Sequence, residues 1–302
     1  MNEAPPHQNP TAQANCSICG GSQWAEHYRG PVRSGRFGTF APTPGLVLRC
    51  RGCDAAHLVG QPVDYESDAY RKLVDGGGET ADFHRQHDAE QAEKLALLGT
   101  GSLRGKWVAD IGCGAGSLLD LVRAVGARTL AVEPMTAYHA ALRGGGHAIF
   151  PRVESVPPEW HGQVDVATCF SVLEHIEQPL AFLQGVRRLL KPGGRLLLST
   201  PNRDDWLLEL LPEDYRQFFY RVVHRWYFTA ESLCQLGSRA GFAAVSPAFH
   251  HRFDLSNFLL WLRDRRPTGL GQLAASPVLD ATFSATLAAT GRSDYLHAWL
   301  DA

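Results

Sequence analysis

The chain has 302 residues and a mass of 33.1 kDa, enough for one α/β domain of ordinary size and a small appendage. A hydrophobic content of 44% with 20% charged residues describes a globular protein, and no apolar run reaches the about 18 residues that a membrane span needs. The formal net charge of −2 gives no electrostatic argument for nucleic acid as the main partner.

The amino-terminal segment, residues 1–15, is polar and contains prolines, so we expect it to be disordered. It has neither the basic flank nor the apolar stretch of a secretory signal, and the expected location is therefore cytoplasmic. In such a reducing compartment disulfides are rare, so we expect the cysteines that follow to be free thiols or metal ligands.

Four of these cysteines form two Cys-x-x-Cys pairs. The pairs are Cys16 with Cys19 and Cys50 with Cys53. In a reducing compartment two such pairs predict a closed tetrahedral zinc site, and a redox or metal-free role is the alternative. We predict a zinc-ribbon module over residues 16–60, with a looped hairpin between the pairs and His57 as a substitute ligand that the site does not need. Because four thiolates leave no open position for chemistry, this zinc would be structural.

Residues 61–104 predict a helical connector between this module and the core. Tyr65 and Tyr70 precede a run of three glycines, and a helical pattern extends from about Ala81 to Leu98. The apolar run that begins at Trp107 then predicts the first strand of the core.

The most informative stretch runs from Asp110 to Gly116 and reads Asp-Ile-Gly-Cys-Gly-Ala-Gly. It lies between an apolar run and a helical pattern. A strand that ends in a glycine-rich turn and opens a helix is a nucleotide-binding element of a doubly wound α/β fold. Dinucleotide-binding enzymes share the Gly-x-Gly pattern, but the carboxylate of Asp110 would repel a pyrophosphate. It suits a ligand with an ammonium and a sulfonium group, and S-adenosylmethionine carries both.

Three later apolar segments predict further strands of the same sheet. They span residues 128–132, 164–170 and 195–200. Glu133 stands at the carboxyl end of the first of these, where an acidic side chain can hold both hydroxyls of a ribose. A helix at about residues 179–190 and a Lys-Pro-Gly-Gly turn separate the other two segments.

Five motifs, in this order along the chain, resemble the class I S-adenosylmethionine-dependent methyltransferases. They read VADIGCGAG, LAVEP, DVATCFSVLEHI, LKPGGRLLLSTPN and FTAESLCQLGSRAGF. The resemblance covers about residues 105–250 and implies a doubly wound, seven-stranded Rossmann-like methyltransferase sheet. It also implies that the helix before the first core strand packs near the cofactor as a lid. Residues 251–302 would form a carboxyl-terminal extension whose role the sequence leaves open.

The resemblance implies how S-adenosyl-L-methionine is held. Asp110 and the glycine loop would take its methionyl part, Glu133 its ribose, and the region after the third strand would border its adenine. The cofactor-binding residues implied are Asp110, Gly112, Cys113, Gly114, Gly116, Glu133, Val153, Glu154 and Phe170.

Two histidines are the candidate catalytic residues. His175 follows a core strand directly, and an unperturbed pKa of about 6.5 suits a general base that removes a hydroxyl proton. The alternative is a histidine that only orients the following helix. His224, in the stretch Val-His-Arg-Trp-Tyr-Phe-Thr, is the second candidate.

A catalytic divalent cation is the less favoured alternative. The stretch that ends near His224 resembles quinone-biosynthesis O-methyltransferases and small-RNA 2′-O-methyltransferases, some of which bind a cation through a Glu-x-x-Glu-His run and a later histidine. Glu174, His175 and His224 match that pattern, but Ser171 stands where the first glutamate would be. The loss of one carboxylate weakens a site for a hard cation.

The acceptor is less well defined. Residues 202–228 form an aromatic, leucine-rich insertion on the substrate side, which is either a helical flap packed on the core or a wall of the acceptor pocket. Paired zinc knuckles before such a core resemble bacterial methyltransferases of sugar, glycan and other small-molecule biosynthesis, and also ribosomal-RNA guanine methyltransferases. The net charge and the apolar insertion favour the first group.

We therefore predict a methyltransferase that acts on a hydroxyl of a sugar, a glycan precursor or a secondary metabolite. The alternatives are carbon or nitrogen methylation of a nucleotide sugar or natural product, and methylation of a ribosomal-RNA base. A degenerate methyltransferase-like binding protein is least favoured, because Asp110, Glu133 and the glycines are all present.

Overall fold

A computed structural model describes residues 15–60, 63–65, 67, 70, 72, 80–269, 273 and 276–302. The disorder expected for the amino-terminal segment lies outside these residues except at Asn15, and so does the run of three glycines. In chain order the strands are β1 (Trp24–Gly30), β2 (Gly45–Cys50), β3 (Ala56–Val59), β4 (Trp107–Ile111), β5 (Arg128–Val132), β6 (Ala148–Phe150), β7 (Val164–Phe170), β8 (Leu190–Pro201), β9 (Trp226–Tyr227), β10 (Ala244–His250) and β11 (Tyr295–Asp301). The helices are α1 (Thr80–Leu98), α2 (Ser117–Ala124), α3 (His139–Gly144), α4 (Pro179–Leu189), α5 (Trp206–Leu210), α6 (Asp214–Phe219), α7 (Ala230–Arg239), α8 (Leu255–Asp264) and α9 (Pro277–Ala289).

A seven-stranded mixed sheet forms the centre of the protein, in the order β10-β11-β8-β7-β4-β5-β6. This confirms the predicted α/β class and the Rossmann-like sheet. The chain moves outward from β4 through β5 to β6 and then returns to β7 on the other side of β4. Each neighbouring pair among the five strands from β4 through β8 is parallel. Such a reversal leaves a crevice at the carboxyl ends of the central strands.

The strand boundaries follow from hydrophobic runs that helices cover on both faces. Residues 107–111, 128–132 and 164–170 form strands at the predicted positions. The fourth predicted segment, 195–200, lies inside the longer β8, which already begins at Leu190. The expected Lys-Pro-Gly-Gly turn is therefore part of that strand, where Gly193 adopts φ 76°.

The carboxyl-terminal extension supplies a strand to this sheet. Strand β11 lies between β10 and β8 and pairs with both in an antiparallel sense. The sequence boundary at residue 250 therefore does not mark the edge of the sheet. Pairing between strands about 100 residues apart carries no local signal, because register depends on which surfaces meet in three dimensions. Among the described residues, no helix combines the length and apolar composition needed to cross a membrane.

A second, four-stranded sheet has the order β1-β2-β3-β9. Three of its strands come from the cysteine-containing amino-terminal region, and the first two form the predicted hairpin. The fourth, β9, belongs to the insertion and pairs with β3 through Ala56–Tyr227 and His57–Trp226. The amino-terminal region is thus joined to the core by a shared sheet.

The insertion is a packed helical flap in this structure. Leu207 and Leu211 of its α5 region and Tyr215 of α6 are buried in one cluster with Phe258 and Trp261 of α8. The ring of Tyr215 lies 4.9 Å from that of Trp261, edge to face. Burial of these side chains, at roughly 1.5–3 kcal/mol each, explains why the segment is so apolar.

Candidate functional site

A cleft of about 750 Å³ opens at the carboxyl ends of β4, β5 and β7, where the topology predicts a ligand site. Helix α1 forms part of its wall through Phe83, His87 and Lys94, among other residues. The cleft also receives nearly all of the cofactor residues expected from the sequence, namely Asp110, Gly112, Cys113, Gly114, Glu133, Val153, Glu154 and Phe170. Gly116 stands just behind them as the residue before α2.

The glycine loop is conformationally demanding. Gly112 and Gly114 have φ values of 75° and 55°, which side chains rarely adopt. A Cβ atom on Gly112 would lie 2.4 Å from the side chain of Val172, and one on Gly114 would lie 2.4 Å from the ring of Phe83. Glycine is therefore required here both for backbone conformation and for close packing against the cleft wall.

Asp110 lies within β4 and is 6% exposed. The hydroxyl of Thr168 donates a hydrogen bond to its Oδ1 at 2.6 Å. Burial raises the pKa of Asp110 to about 6, and the Thr168 hydrogen bond and the charge of Lys94 oppose that rise. A cationic ligand would relieve this cost of burying a carboxylate.

Glu133 connects the end of β5 to the glycine loop. Its carboxylate accepts hydrogen bonds from the backbone N–H groups of Gly114 and Met135, both at 2.8 Å. Burial raises the pKa of Glu133 to about 7 despite these two bonds. Each carboxylate oxygen has a second acceptor site, so the ribose hydroxyls of a nucleoside can still be held.

The two carboxylates fit S-adenosylmethionine. Within the described residues, neither Asp110 nor Glu133 forms an ion pair with a basic side chain. Both face a cleft large enough for a nucleoside and an acceptor. The unpaired negative charge matches a ligand with an ammonium, a sulfonium and vicinal hydroxyls.

His175 ends a short 3₁₀ turn, Leu173–His175, and lines the cleft. Its Nδ1 lies 2.6 Å from the carbonyl oxygen of Val223, so this nitrogen carries the proton. Burial lowers the pKa of His175 to about 4. The sequence expectation of a pKa near that of a free imidazole is therefore wrong for this environment, because burial disfavours the charged ring.

His224 lies beside His175, with ring centroids 4.9 Å apart. It is buried, its pKa is lowered well below the usual value by burial, and its Nδ1 has no hydrogen-bond partner among the described residues. His224 is behind the cleft wall rather than part of it. The structure thus brings the two candidate histidines together, but only one reaches the cleft.

Glu174 completes this group. It is 1% exposed, and neither carboxylate oxygen has a well-formed hydrogen bond among the described residues, although the Thr200 hydroxyl is close enough to oppose the rise of its pKa. Burial raises the pKa of Glu174 to about 7. One ligand atom from each of Glu174, His175 and His224 lies within 4.8 Å of the others, a spacing suited to a divalent cation. Ser171 is not part of the group, since its hydroxyl pairs with Tyr295 at 2.7 Å.

Sequence reasoning missed several residues around His175. The ring of Tyr65 lies 5.3 Å from the imidazole, and its hydroxyl donates to the Val223 carbonyl at 2.7 Å. Tyr70 lies 6.3 Å from the same imidazole. Arg225 is the residue of the insertion that contributes to the cleft wall. Its position directly after His224 is the sequence signal that could have predicted this. The apolar residues of the insertion face the core instead, which excludes them as walls of this cleft.

The four amino-terminal cysteines form one cluster. One sulfur atom from each lies within 4.8 Å of the others, with Sγ–Sγ distances of 3.7 Å for Cys16–Cys53 and 3.5 Å for Cys19–Cys50. These distances are too long for disulfides. His57 is not in the cluster, because its ring packs on Trp226 with centroids 4.6 Å apart.

Comparison with known proteins places the fold and the cleft in a family. The solved structure of an S-adenosylmethionine-dependent methyltransferase from Archaeoglobus fulgidus has the same fold, with a TM-score of 0.50, 15% sequence identity and coverage of 72% of this chain and 94% of that chain. A ubiquinone biosynthesis O-methyltransferase from Pseudomonas aeruginosa (strain UCBPP-PA14) is 33% identical over 159 residues, which are 46% of this chain and 68% of the relative. A protein of the same name from Aeromonas salmonicida is 29% identical over 178 residues, which are 52% of this chain and 71% of the relative.

The family profile described as "Methyltransferase domain" matches residues 83–246, just over half of the chain. The matched region begins in α1, which forms part of the cleft wall, and ends in β10, so it contains Asp110, Glu133 and both histidines. The chain therefore belongs to the S-adenosylmethionine-dependent methyltransferases.

Proposed function

We propose that the protein methylates a hydroxyl group of a small aromatic molecule. The observation that carries this proposal is a cleft in which two buried carboxylates, Asp110 and Glu133, face the His175 region with no ion-pair partner among the described residues. The relatives named as ubiquinone biosynthesis O-methyltransferases support oxygen as the acceptor atom. The aromatic wall around His175 supports an aromatic acceptor, whereas the sugar or glycan acceptor expected from the sequence has no support.

The cofactor side of the cleft supplies binding and orientation. S-adenosylmethionine supplies, when bound, an electrophilic methyl group on its sulfonium. Asp110 holds the positive end of the ligand, Glu133 the ribose, and the glycine loop allows the backbone to approach. Helix α1 excludes water over the cleft. Holding the two reactants in line supplies roughly 7–11 kcal/mol of the barrier reduction in well-oriented systems.

On the acceptor side, we propose that Glu174, His175 and His224 hold a divalent cation. This assignment is supported over a lone general base by three atoms that lack a well-formed hydrogen bond in the part of the chain that the structure describes, namely Oε1 and Oε2 of Glu174 and Nδ1 of His224. The lowered pKa of His175, about 4, also makes the free imidazole a weak base but keeps it neutral for ligation. A cation there would lower the pKa of an acceptor hydroxyl. Three protein ligands would leave a coordination position open, and His175, the one of the three that lines the cleft, would bring the cation next to the acceptor.

Calorimetric titration with S-adenosylhomocysteine and a methylation assay on catechol test the main proposal. We expect saturable binding of S-adenosylhomocysteine, no comparable binding of NAD, and methylation of catechol detected by mass spectrometry. Absence of S-adenosylhomocysteine binding at millimolar concentration would refute the cofactor assignment. Binding without methylation of any aromatic hydroxyl would refute the acceptor assignment alone.

Titration with Mn²⁺, followed by the electron paramagnetic resonance signal of the free ion, tests the cation site without depending on turnover. Glu174→Gln should weaken Mn²⁺ binding by about tenfold or more, because it removes a charged ligand. Glu159→Gln, an exposed glutamate outside the cleft, is the matched control. Equal Mn²⁺ affinity in the two variants would refute the cation site and favour the alternative in which His175 acts as a general base.

We also propose that Cys16, Cys19, Cys50 and Cys53 hold one structural zinc ion. The support is the cluster of four sulfur atoms, three of them on buried cysteines, together with backbone N–H groups that donate to two of them: Gly21 to Cys19 at 3.3 Å and Gly52 to Cys50 at 3.4 Å. Elemental analysis should find about one zinc per chain, as for a closed tetrathiolate site. A zinc-free native protein would overturn the assignment.

A further inference from the structure

Residues 220–228, here called the histidine segment, lie between the candidate catalytic group and the amino-terminal region. The segment carries His224 and the carbonyl of Val223. On its far side is the cysteine lobe, residues 15–60, which contains the four clustered cysteines.

Backbone hydrogen bonds join the cysteine lobe to both ends of the histidine segment. At the carboxyl end, β3 pairs with β9 and the N–H of Leu58 donates to the carbonyl of Arg225 at 2.9 Å. At the amino end, Arg33 donates to the carbonyl of Tyr220 and accepts from the N–H of Val222, both at 2.9 Å. The lobe thus fixes the backbone on either side of His224.

Side chains of the segment are buried in the lobe. Trp226 is fully buried and belongs to the same apolar cluster as the metal-site cysteines Cys16, Cys50 and Cys53. Its ring contacts that of His57 from β3. Loss of the lobe would expose this tryptophan, so the conformation of the segment depends on the lobe remaining folded.

The lobe itself is anchored at both of its metal-binding knuckles. Arg239 of α7 donates to the carbonyl of Ile18 in the first knuckle, and Arg203 pairs with Asp54 beside the second. On its own, a lobe of this size is too small to bury a stable core without a metal or another cross-link, although contacts with the core add to its stability. We therefore expect the position of the histidine segment to depend on occupancy of the cysteine cluster.

On its other side the segment holds the catalytic group in place. The Val223 carbonyl accepts from His175 Nδ1 at 2.6 Å and so sets which nitrogen of that ring is unprotonated. The N–H of Arg225 donates to the carbonyl of Glu174 at 2.8 Å. By contrast, Asp110 and Glu133 lie on or next to strands that pair within the central sheet.

We infer that the metal-bound cysteine lobe is a positioning element for methyl transfer: it holds the histidine segment in register so that His224 and Val223 stand beside His175. This inference rests on the proposed function and on zinc in the cysteine cluster. Loss of the metal disables the acceptor side of the cleft, and the cofactor side still binds. The closed zinc site thus acts on the reaction through the segment, without touching any reactant.

The double variant Cys50→Ser/Cys53→Ser tests the inference in the full chain. We expect loss of zinc, turnover at least about a hundredfold lower and S-adenosylhomocysteine affinity within about threefold of wild type. Hydrogen exchange read by mass spectrometry should show about tenfold faster exchange in peptides that contain Val222, His224 and Arg225. Peptides from β4 and β5 should keep their protection.

The substitution Leu58→Pro tests the link without touching a metal ligand. It removes the N–H that bonds Arg225, and zinc content reports whether the lobe is still folded. Val47→Ala, an equally buried change in the neighbouring β2, controls for general loosening of the lobe. We expect the proline variant to lose turnover by about tenfold or more with zinc bound, and the alanine variant to stay within about threefold.

Two results overturn the inference. One is a zinc-free double variant with wild-type turnover, and the other is a zinc-loaded Leu58→Pro protein with unchanged turnover and unchanged exchange in the histidine segment. If cysteine substitution abolishes S-adenosylhomocysteine binding, the metal stabilises the whole chain. The turnover and exchange of the zinc-loaded Leu58→Pro protein then decide whether the lobe positions the histidine segment. Failure of wild type to bind S-adenosylhomocysteine would refute the proposed function, whereas the exchange pattern would still report the link between lobe and segment.

Discussion

The two halves of the cleft are held in different ways. The cofactor half consists of Asp110, the glycine loop and Glu133, which sit on adjacent parallel strands and bond one another through backbone groups. The acceptor half consists of a short turn at Glu174 and His175 and the histidine segment, joined by single hydrogen bonds to carbonyl groups. One half is built into the central sheet, and the other depends on contacts between segments distant in the chain. Substitutions should therefore separate binding of the cofactor from transfer of the methyl group.

The largest separation is expected from His175→Ala. Loss of this side chain removes either a metal ligand or a base, so turnover on an aromatic hydroxyl should fall by about 10²–10⁴-fold. Affinity for S-adenosylhomocysteine, measured by calorimetry, should remain close to wild type. The control is His147→Ala, another buried histidine, which pairs with Thr129 at 2.8 Å away from the cleft and should affect stability alone. A variant at His175 that retains a third of wild-type turnover would show that this histidine only supports the fold.

The converse variant is Asp110→Asn, which keeps the shape of the side chain and removes its charge. Loss of a charge-assisted contact costs about 1.5–3 kcal/mol, so affinity for S-adenosylhomocysteine should fall by about tenfold or more. Turnover at saturating cofactor should change far less. Asp165→Asn provides a matched control. Asp165 lies at the amino end of β7, away from the cleft, and pairs with Lys191 at 2.9 Å. Equal affinity in both variants would mean that Asp110 does not contact the ligand.

The pH dependence of cofactor affinity sharpens the same assignment. Burial raises the pKa of Asp110 to about 6 in the free protein. A ligand ammonium group favours the ionised form, so binding below this pKa must release a proton, and affinity rises as the pH is raised through it. Affinity for S-adenosylhomocysteine should be about tenfold weaker near pH 5 than near pH 7. Asp110→Asn should flatten the part of this profile near pH 6, while a slope near pH 7 would belong to Glu133, whose pKa burial raises to about 7. An unchanged slope near pH 6 in the variant would assign that titration to another group.

The same contrast between the halves explains how much could be predicted from the sequence. The cofactor half is encoded locally: Asp110 and the three glycines lie in one short stretch, and Glu133 directly follows the next strand. The position of these residues at the strand ends and their chemistry therefore follow from the sequence pattern. The acceptor half forms only when the turn at His175 meets Val223, nearly 50 residues later in the chain. The sequence predicted His175 and His224 as site residues, but not the Val223 carbonyl that accepts a hydrogen bond from His175. The lowered pKa of His175 also depends on burial, which no local pattern reports.

The smallest expected effect concerns Ser171, at the border between the halves. This residue has φ 55° although it is not glycine, and its hydroxyl pairs with Tyr295 of β11. An L side chain in the left-handed region costs about 1 kcal/mol or more, which glycine avoids. Both Ser171→Gly and Ser171→Ala lose the hydroxyl, so their difference isolates the backbone contribution. In urea unfolding, the glycine variant should be about 1 kcal/mol more stable than the alanine variant. An alanine variant of equal or greater stability would show that the left-handed conformation at residue 171 carries no such cost.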